Sequence, residues 1–353
     1  MNPVADTAPP NILVIRRHYV GDLVLLGSFL SNLRLHWPAA RLTVLADEGY
    51  AEILAMNPDR PDVWQVPRRG RRLGRSLSLL RRLRSAGFTH VFDIDNNDRT
   101  ALCTRITGAP FRAGFAWKKG RLRQRLAYTH AVPVDPAVYE ARHITEHYLS
   151  LLEPAGVPVA TRKVSLDVPD ADLAAASSLL VERNPASLPV VLVHPGSSSS
   201  FRIWPAGRFA RTADRVQREL GAVVMMVGGA KEASLIREIA RMAATPIATF
   251  DRPLSLARLA ALIARVDVLL CHDSGPMHIA SAVGTRVVAL FGSQSRALWG
   301  PLGTGHQVLQ ASMPCGSACV APAECNPANA YKSYCVRRIG EDEVFEAIKA
   351  TLR

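Results

Sequence analysis

The sequence predicts an α/β protein of two domains, each built on a doubly wound parallel sheet. One observation is length, since 353 residues exceed one ordinary core and suit two domains. A second is order, because short apolar runs rich in Val and Ile alternate with helical patterns. Such runs between helices are typical of parallel strands covered on both faces. A third is that the series restarts after a proline-rich stretch at 154–189.

The strands and helices follow in order along the two halves. In the first half we expect strands at 12–15, 42–45, 63–66 and 90–95, with a helix at 23–35. In the second half we expect strands at 190–193, 223–227, 268–270 and 287–291, and helices at 209–220, 233–242, 256–264, 277–283 and 341–352. The predicted boundaries are a first domain at 1–160, a connection at 161–189, a second domain at 190–338 and a terminal helix at 339–353.

Composition narrows the class of partner. The net charge of +13 favours an acidic partner, which is a phosphorylated ligand, an anionic membrane face or nucleic acid. The start of the chain has three prolines and no apolar run, so we expect no signal peptide. No apolar run reaches the roughly 18 residues of a membrane span. We expect a cytoplasmic protein, with peripheral contact to the inner face of a membrane left open.

Two loops after predicted second-half strands suit phosphate binding. In the first, Gly196 and four serines (Ser197, Ser198, Ser199 and Ser200) precede Arg202 and supply N–H, hydroxyl and guanidinium donors. In the second, Asp273, Ser274 and Gly275 lead into a helix that begins at Pro276. The alternatives are a flexible surface loop in the first case and a capped turn with a core His278 in the second.

Two further strand ends carry an acidic residue. Gly228-Gly229 forms a tight turn before Glu232, a carboxylate suited to ribose hydroxyls, or simply a helix-start residue. Gly21-Asp22 follows the first strand, where the glycine allows close approach of a ligand. Asp22 would face the ligand at the carboxyl edge of the sheet, and the alternative is an ordinary N-cap.

Metal binding has weaker support. Asp93 and Asp95 form a D-x-D that suits Mg²⁺, but it is isolated and lies away from the phosphate loops. The late cysteines, Cys315, Cys319, Cys325 and Cys335, lack the paired C-x₂-C spacing of zinc knuckles. We therefore expect no bound metal and no cofactor.

A basic amphipathic helix is expected within the arginine-rich run 68–84. Leu73, Leu77, Leu80 and Leu83 recur at spacings of three and four among eight arginines. This face suits anionic lipid or an acidic acceptor, and the alternative is a solvated helix face. No aromatic residue interleaves the arginines, so we expect no nucleic acid partner.

Taken in order, these motifs resemble glycosyltransferase family 9, the heptosyltransferases of the lipopolysaccharide inner core. The resemblance runs from about Ile12 to about Leu352. It is carried by the segments 15–22, Pro195-Gly196 with Arg202-Ile203-Trp204-Pro205, Asp273 to His278, Leu290-Phe291-Gly292 and the cysteine-containing tail. This chain differs from many relatives in having His18-Tyr19 for small hydroxyl residues, Arg202 for Lys and Asp95 for Gln.

The resemblance implies a GT-B fold, with two Rossmann-like domains facing across a cleft. It also implies an inverting, metal-independent transfer from ADP-heptose to a lipopolysaccharide core or lipid A acceptor, with Asp22 as general base. The implied donor-binding residues are Ser197, Ser198, Ser199, Ser200, Arg202, Glu232, Asp273, Ser274, Gly275, Met277 and His278. The implied acceptor-binding residues are His18, Tyr19, Gly21, Arg99 and Thr100. Another nucleotide sugar or acceptor, or a non-catalytic basic binding protein, remains the alternative.

Overall fold

The computed structural model describes residues 8–66, 73–117, 126–250, 252–312 and 335–353. The chain forms two compact units, Met1–Ser165 and Leu166–Arg353. Each unit is built on a six-stranded sheet in which every strand pair is parallel. The predicted α/β class is confirmed.

The first unit has the strand order β3-β2-β1-β4-β5-β6. Its strands are β1 (Asn11–Ile15), β2 (Arg41–Asp47), β3 (Asp62–Val66), β4 (His90–Asp93), β5 (Phe111–Ala116) and β6 (His130–Pro133). The first four coincide with predicted runs, whereas β5 and β6 were not predicted. The order reverses between β1 and β4, and such a switch point is where α/β sheets bind ligands.

The helices of the first unit lie between these strands and after them. They are α1 (Val20–Leu25), α2 (Gly27–His36), α3 (Ala51–Ala55), α4 (Leu73–Ser85), α5 (Asp98–Thr107), α6 (Pro136–Tyr139) and α7 (Ile144–Ser150). The single helix predicted at 23–35 is two helices joined at Leu26, and it begins three residues earlier. Gly21 and Asp22 therefore lie inside the first turn of α1, so Asp22 is not its N-cap.

One face of the first sheet is covered by α4 and α5. Leu83 of α4 and Cys103 of α5 are buried against Leu13 and Ile15 of β1. The predicted apolar stripe of α4 is only partly confirmed, because Leu80 and Leu83 pack inward while Leu77 is 53% exposed. The predicted residues Arg68, Arg69, Arg71 and Arg72 lie outside the described residues.

The second unit has the strand order β12-β11-β10-β7-β8-β9, with its switch point between β7 and β10. Its strands are β7 (Val190–His194), β8 (Val223–Met226), β9 (Ala248–Thr249), β10 (Val268–His272), β11 (Arg286–Phe291) and β12 (Gln307–Gln310). Its helices are α8 (Asp170–Arg183), α9 (Ala206–Leu220), α10 (Ala233–Met242), α11 (Leu256–Ile263), α12 (Gly275–Val283), α13 (Arg296–Trp299) and α14 (Glu341–Leu352).

The main strands of the second unit lie in its buried core, which is why they appear as apolar runs in the sequence. The strands β7, β10 and β11 are almost fully buried, and Trp204 and Phe209 pack with them. The terminal helix α14 adds Val344 and Ile348 to the same cluster. The four main strands and α10 match the predicted segments, while the short β9 and β12 were missed.

Each end of the segment that joins the two units contacts residues of the unit next to it. Asn32 of α2 accepts hydrogen bonds from the N–H groups of Ala160 and Thr161, at 2.6 and 3.0 Å. Further on, α8 packs against α11 within the second unit. The units thus divide at Ser165, inside the predicted connection 161–189. Across the described ranges, no helix is both long enough and apolar enough to cross a membrane.

Candidate functional site

Three charged side chains meet at the switch point of the first sheet. Arg16 directly follows β1, Asp95 follows β4, and Asp22 lies in the first turn of α1. The Arg16 guanidinium donates from Nη1 to Asp95 Oδ1 at 2.8 Å, and its Nη2 forms an ion pair with Asp22 Oδ1. One arginine thereby bridges two carboxylates that come from different strand ends.

Tyr148 of α7 is the other partner of Asp22. Its hydroxyl donates to Asp22 Oδ1 at 2.9 Å, and the Arg16 guanidinium lies 5.4 Å from its ring centre. Both partners of Asp22 therefore contact the same oxygen. Neither of these two contacts is made to Oδ2. A carboxylate held through Oδ1 can use Oδ2 to accept a further hydrogen bond.

Burial and neighbouring charges keep Arg16 charged and the Tyr148 hydroxyl protonated. Burial by itself would lower the pKa of Arg16, but Tyr148, Asp22 and Asp95 outweigh it and raise that pKa. Burial raises the pKa of Tyr148 well above its ordinary value, so its hydroxyl stays a donor. Sequence reasoning missed Tyr148, because it lies 126 residues from Asp22 and follows no motif.

The D-x-D carboxylates are both engaged by protein donors. Asp93 is fully buried and accepts hydrogen bonds from the Tyr128 hydroxyl at 2.8 Å and the Asn96 N–H at 3.0 Å. Burial raises the pKa of Asp93 to about 7. Asp95 accepts from Arg16 and from the backbone N–H of Arg17 at 3.1 Å. In the residues described, no cluster of three His, Cys, Asp or Glu side chains could hold a metal.

The predicted acceptor residues fall into two groups. Tyr19 is the N-cap of α1, is 64% exposed and has a φ of 63°, a conformation that costs a non-glycine residue energy. Beside it, the ring of His18 places Nδ1 3.0 Å from Asp47 Oδ2. Arg99 is exposed on α5. Thr100, by contrast, is fully buried and forms a capping box with Asn97, so its side chain does not face solvent.

The serine-containing loop of the second unit is fastened by His272, the last residue of β10. The Trp204 N–H donates to His272 Nε2 at 2.9 Å, and His272 Nδ1 lies 3.2 Å from the Gly196 carbonyl oxygen. Burial lowers the pKa of His272 to about 3, so the ring is neutral. Because Nε2 accepts, the proton is on Nδ1 and is donated to Gly196. Sequence reasoning assigned donor binding to Asp273 and Ser274 but no role to His272.

Ser197 Oγ and Arg202 Nε are two buried polar atoms of this loop. Ser197 Oγ and Arg202 Nε form no hydrogen bond with any described residue. Arg202 ends a short 3₁₀ helix, Ser200–Arg202, and its Nη1 lies 3.6 Å from Asp273 Oδ2. Ser198 and Ser200 are exposed and Ser199 is half-buried. A ligand bound at this loop would find Ser197 Oγ and Arg202 Nε without a hydrogen-bond partner among the described residues.

The start of α12 adds backbone donors near Asp273. Ser274 is the extended N-cap, but its hydroxyl donates to the His272 carbonyl at 3.1 Å and caps no amide of the helix. The positive end of the helix dipole is therefore open to an anion. The side chains of Met277 and His278 are buried inside the unit.

Glu232 fills a space that three glycines leave open. Its Oε2 accepts the Gly229 N–H at 2.8 Å. A Cβ on Gly196 would lie 2.3 Å from Glu232 Cγ, and one on Gly228 would lie 2.7 Å from Glu232 Cβ. A cavity of about 300 Å³ begins at Gly228 and Gly229 and is lined further on by Arg237, Phe250 and Pro253, among others. Of the late cysteines, Cys315, Cys319 and Cys325 lie outside the described residues.

Residues 76–327 match the family model of glycosyltransferase family 9 (heptosyltransferase). Among curated proteins, lipopolysaccharide heptosyltransferase 3 of Escherichia coli K12 is 26% identical over 297 residues, which cover 80% of this chain and 83% of that protein.

Two solved structures share the fold over nearly the whole chain. A family 9 glycosyltransferase from Veillonella parvula has a TM-score of 0.83 at 23% identity and covers 99% of this chain and 98% of its own. The E. coli ADP-heptose lipopolysaccharide heptosyltransferase II has a TM-score of 0.76 at 21% identity, covering 97% and 98%. The predicted GT-B fold type is confirmed.

Proposed function

Because this chain belongs to glycosyltransferase family 9, the heptosyltransferases of the lipopolysaccharide core, we propose that it moves heptose from ADP-heptose to an inner-core acceptor. The transfer inverts the anomeric centre and needs no metal ion. The acceptor oxygen forms its bond to the anomeric carbon while the bond to the donor phosphate breaks. ADP leaves with that electron pair, and the acceptor proton passes to Asp22.

The observation that carries this proposal is the asymmetry of Asp22. Arg16 and Tyr148 both hold Oδ1, which fixes the carboxylate while Oδ2 remains available to the acceptor hydroxyl. A general base has to lie within hydrogen-bond reach of the proton it removes, and a fixed carboxylate meets that need without reorganising. Tyr19 and Arg99, both exposed in the same unit, are the side chains we assign to acceptor binding.

The second unit supplies the electrostatics for the leaving group. Ser197, Arg202 and the N-terminus of α12 offer a hydroxyl, a guanidinium and backbone donors for a diphosphate. Fixed donors of this kind stabilise the charge that develops on departing ADP, which is the task a metal ion performs in other transferases. Asp273 orients Arg202, at 3.6 Å.

Glu232 and the adjoining cavity suit the nucleoside. The Glu232 carboxylate lies at the carboxyl end of β8, the usual position of an acidic residue that binds ribose hydroxyls. The cavity, of about 300 Å³, offers apolar contacts from Phe250 and Pro253 to a planar base. We assign the adenosine half of the donor to this place.

The decisive experiment compares Asp22→Asn with Asp62→Asn, a carboxylate 53% exposed on the edge strand β3. We expect Asp22→Asn to keep ADP affinity within about twofold and to lose at least about 100-fold in kcat, since general-base catalysis is worth about that much. Asp62→Asn should keep both. Unchanged turnover in Asp22→Asn would end the general-base assignment.

The donor, the stereochemistry and the metal are tested separately. Calorimetry with ADP, UDP, GDP and CMP should show a clear preference for ADP, whereas a preference for UDP would indicate another nucleotide sugar. The one-bond carbon–proton coupling constant at the anomeric centre of the product glycoside reports inversion. Turnover should survive EDTA, and loss of turnover that Mg²⁺ restores would refute the metal-independent mechanism.

A further inference from the structure

We propose that the outer face of α4 and α5 docks this protein on a bilayer of anionic phospholipid. This α4–α5 face consists of three leucines, Leu77, Leu102 and the neighbouring Leu126, and four arginines, Arg81, Arg82, Arg84 and Arg105. The inference does not depend on the identity of the donor or on the role of Asp22. It concerns how the first unit meets the surface in which a lipid-linked acceptor is embedded.

The three leucines stand on adjoining segments and are strongly exposed. Leu77 on α4 is 53% exposed, Leu102 on α5 is 54% exposed and Leu126 is 68% exposed. The two helices pack against each other. Ala101 of α5 is buried in contact with Ala127, so the chain beside Leu126 also lies against α5. Exposed leucines grouped on one side of a unit mark an interaction surface more than scattered single ones do.

The arginines of the two helices outnumber their acidic residues. The helix α4 has no acidic residue, and α5 has only Asp98, in its first turn. Among the residues that the structure describes, neither Arg81 nor Arg105 has a carboxylate within ion-pair distance. Arg82 lies with its guanidinium 3.7 Å from the centre of the Trp64 ring, which leaves its charge on the surface. The face is thus positive as well as apolar.

This combination fits a phospholipid surface better than a nucleic acid. Helices that lie in the membrane interface place apolar side chains among the acyl chains and basic ones among the headgroups. Single-stranded nucleic acid needs aromatic side chains on which bases stack, and α4 and α5 carry none. The placement also suits the reaction, because α5 begins three residues after Asp95, at the edge of the sheet that holds Asp22.

The test is flotation of the full chain with vesicles of phosphatidylglycerol and phosphatidylethanolamine, against vesicles of phosphatidylcholine alone. We expect binding to the anionic vesicles only, weakened between 0.05 and 0.5 M NaCl by screening of the exposed charges. The pair Arg81→Glu and Arg105→Glu should weaken binding at least about 25-fold, at about fivefold for each arginine. The pair Leu77→Ser and Leu102→Ser should weaken it about tenfold.

Matched controls use exposed residues away from the α4–α5 face. Arg241→Glu with Arg265→Glu changes the charge equally, and Leu35→Ser with Val181→Ser removes side chains of comparable apolar exposure. Both control pairs should keep vesicle binding. Equal losses in test and control pairs, or binding to phosphatidylcholine as strong as to anionic vesicles, would overturn the proposal, as would submicromolar RNA binding without vesicle binding.

The activity measurement separates this inference from the proposed reaction. With a water-soluble acceptor fragment that lacks lipid, all four variant pairs should turn over like the wild type, since none removes a residue assigned to the reaction. Failure of vesicle binding with intact turnover refutes only the docking face. Loss of turnover in Asp22→Asn bears only on the general base.

Discussion

Replacing His272 with leucine should lower both the free energy of unfolding of the second unit and its affinity for ADP. The variant removes the acceptor of the Trp204 N–H and the donor to the Gly196 carbonyl, both in buried positions. A buried polar group left without a partner costs about 1–3 kcal/mol, so the two together cost about 2–6 kcal/mol. The loop that carries Ser197 and Arg202 loses two of its anchors, and we expect ADP affinity to fall about tenfold or more.

Measuring stability at several pH values separates the effect of losing the His272 ring from other effects of the substitution. Its pKa of about 3 in the folded state lies below 6.5, the ordinary value expected in the unfolded chain, so the unfolded state binds more protons between these values. The stability linked to this shift is full above pH 6.5 and is lost as the pH falls toward 3. Between pH 7 and pH 5 the loss is about 2 kcal/mol. The difference in unfolding free energy between wild type and His272→Leu should narrow by that amount.

Urea denaturation at pH 7 and pH 5, with ADP calorimetry at pH 7, provides the assay. His272→Gln retains one donor and one acceptor and should recover part of the affinity. Ile348→Ala removes buried side-chain volume from α14 and should cost about 2–5 kcal/mol while ADP affinity remains. If Ile348→Ala weakens ADP as much as His272→Leu does, or if the pH dependence is unchanged, the anchoring role of His272 is refuted.

Two further predictions concern the first unit. Tyr148→Phe removes the hydrogen bond to Asp22 and should lower kcat about 10-fold to 100-fold, since such bonds to charged groups contribute about 1.5–3 kcal/mol; ADP affinity should not change, and an unaltered kcat would contradict the positioning role. For Asp93→Asn, the free energy of unfolding minus that of the wild type should be about 2–3 kcal/mol larger at pH 8 than at pH 5. This follows because the raised pKa of Asp93, about 7, favours its protonated form, and the linked stability is lost as the pH rises from 3.8 through 7. Urea denaturation at the two pH values measures the effect, and a constant difference would refute it.

The fold could be predicted wherever strands are buried on both faces. The strands β1, β7 and β10 each contain an uninterrupted run of four apolar residues, and each matched a predicted segment. The missed strands lack that pattern. For example, β6 is a mostly exposed edge strand that ends at Pro133. The two-residue β9 is too short to produce any pattern. Edge strands bury too little apolar surface to leave a period in the sequence.

The site could be predicted only where its residues are close along the chain. Loops after strands indicated Asp22, Arg202 and Ser274, because parallel strands bring their carboxyl ends to one edge. Nothing local could show that Tyr148 reaches Asp22 or that His272 fastens a loop 68 residues away. Spacing also could not show that Thr100 is buried, since the same hydroxyl serves a capping box or a ligand equally well.

The strained backbone at Tyr19 limits what an engineer can change there. With a φ of 63°, any residue other than glycine at this position pays a conformational cost, so an exposed tyrosine kept in that state is held by its surroundings. Glycine would relax the turn and free the start of α1. Changing the acceptor specificity of this protein therefore requires redesign of the whole turn from Arg17 to Val20. Exchanging single side chains would leave the same backbone strain in place.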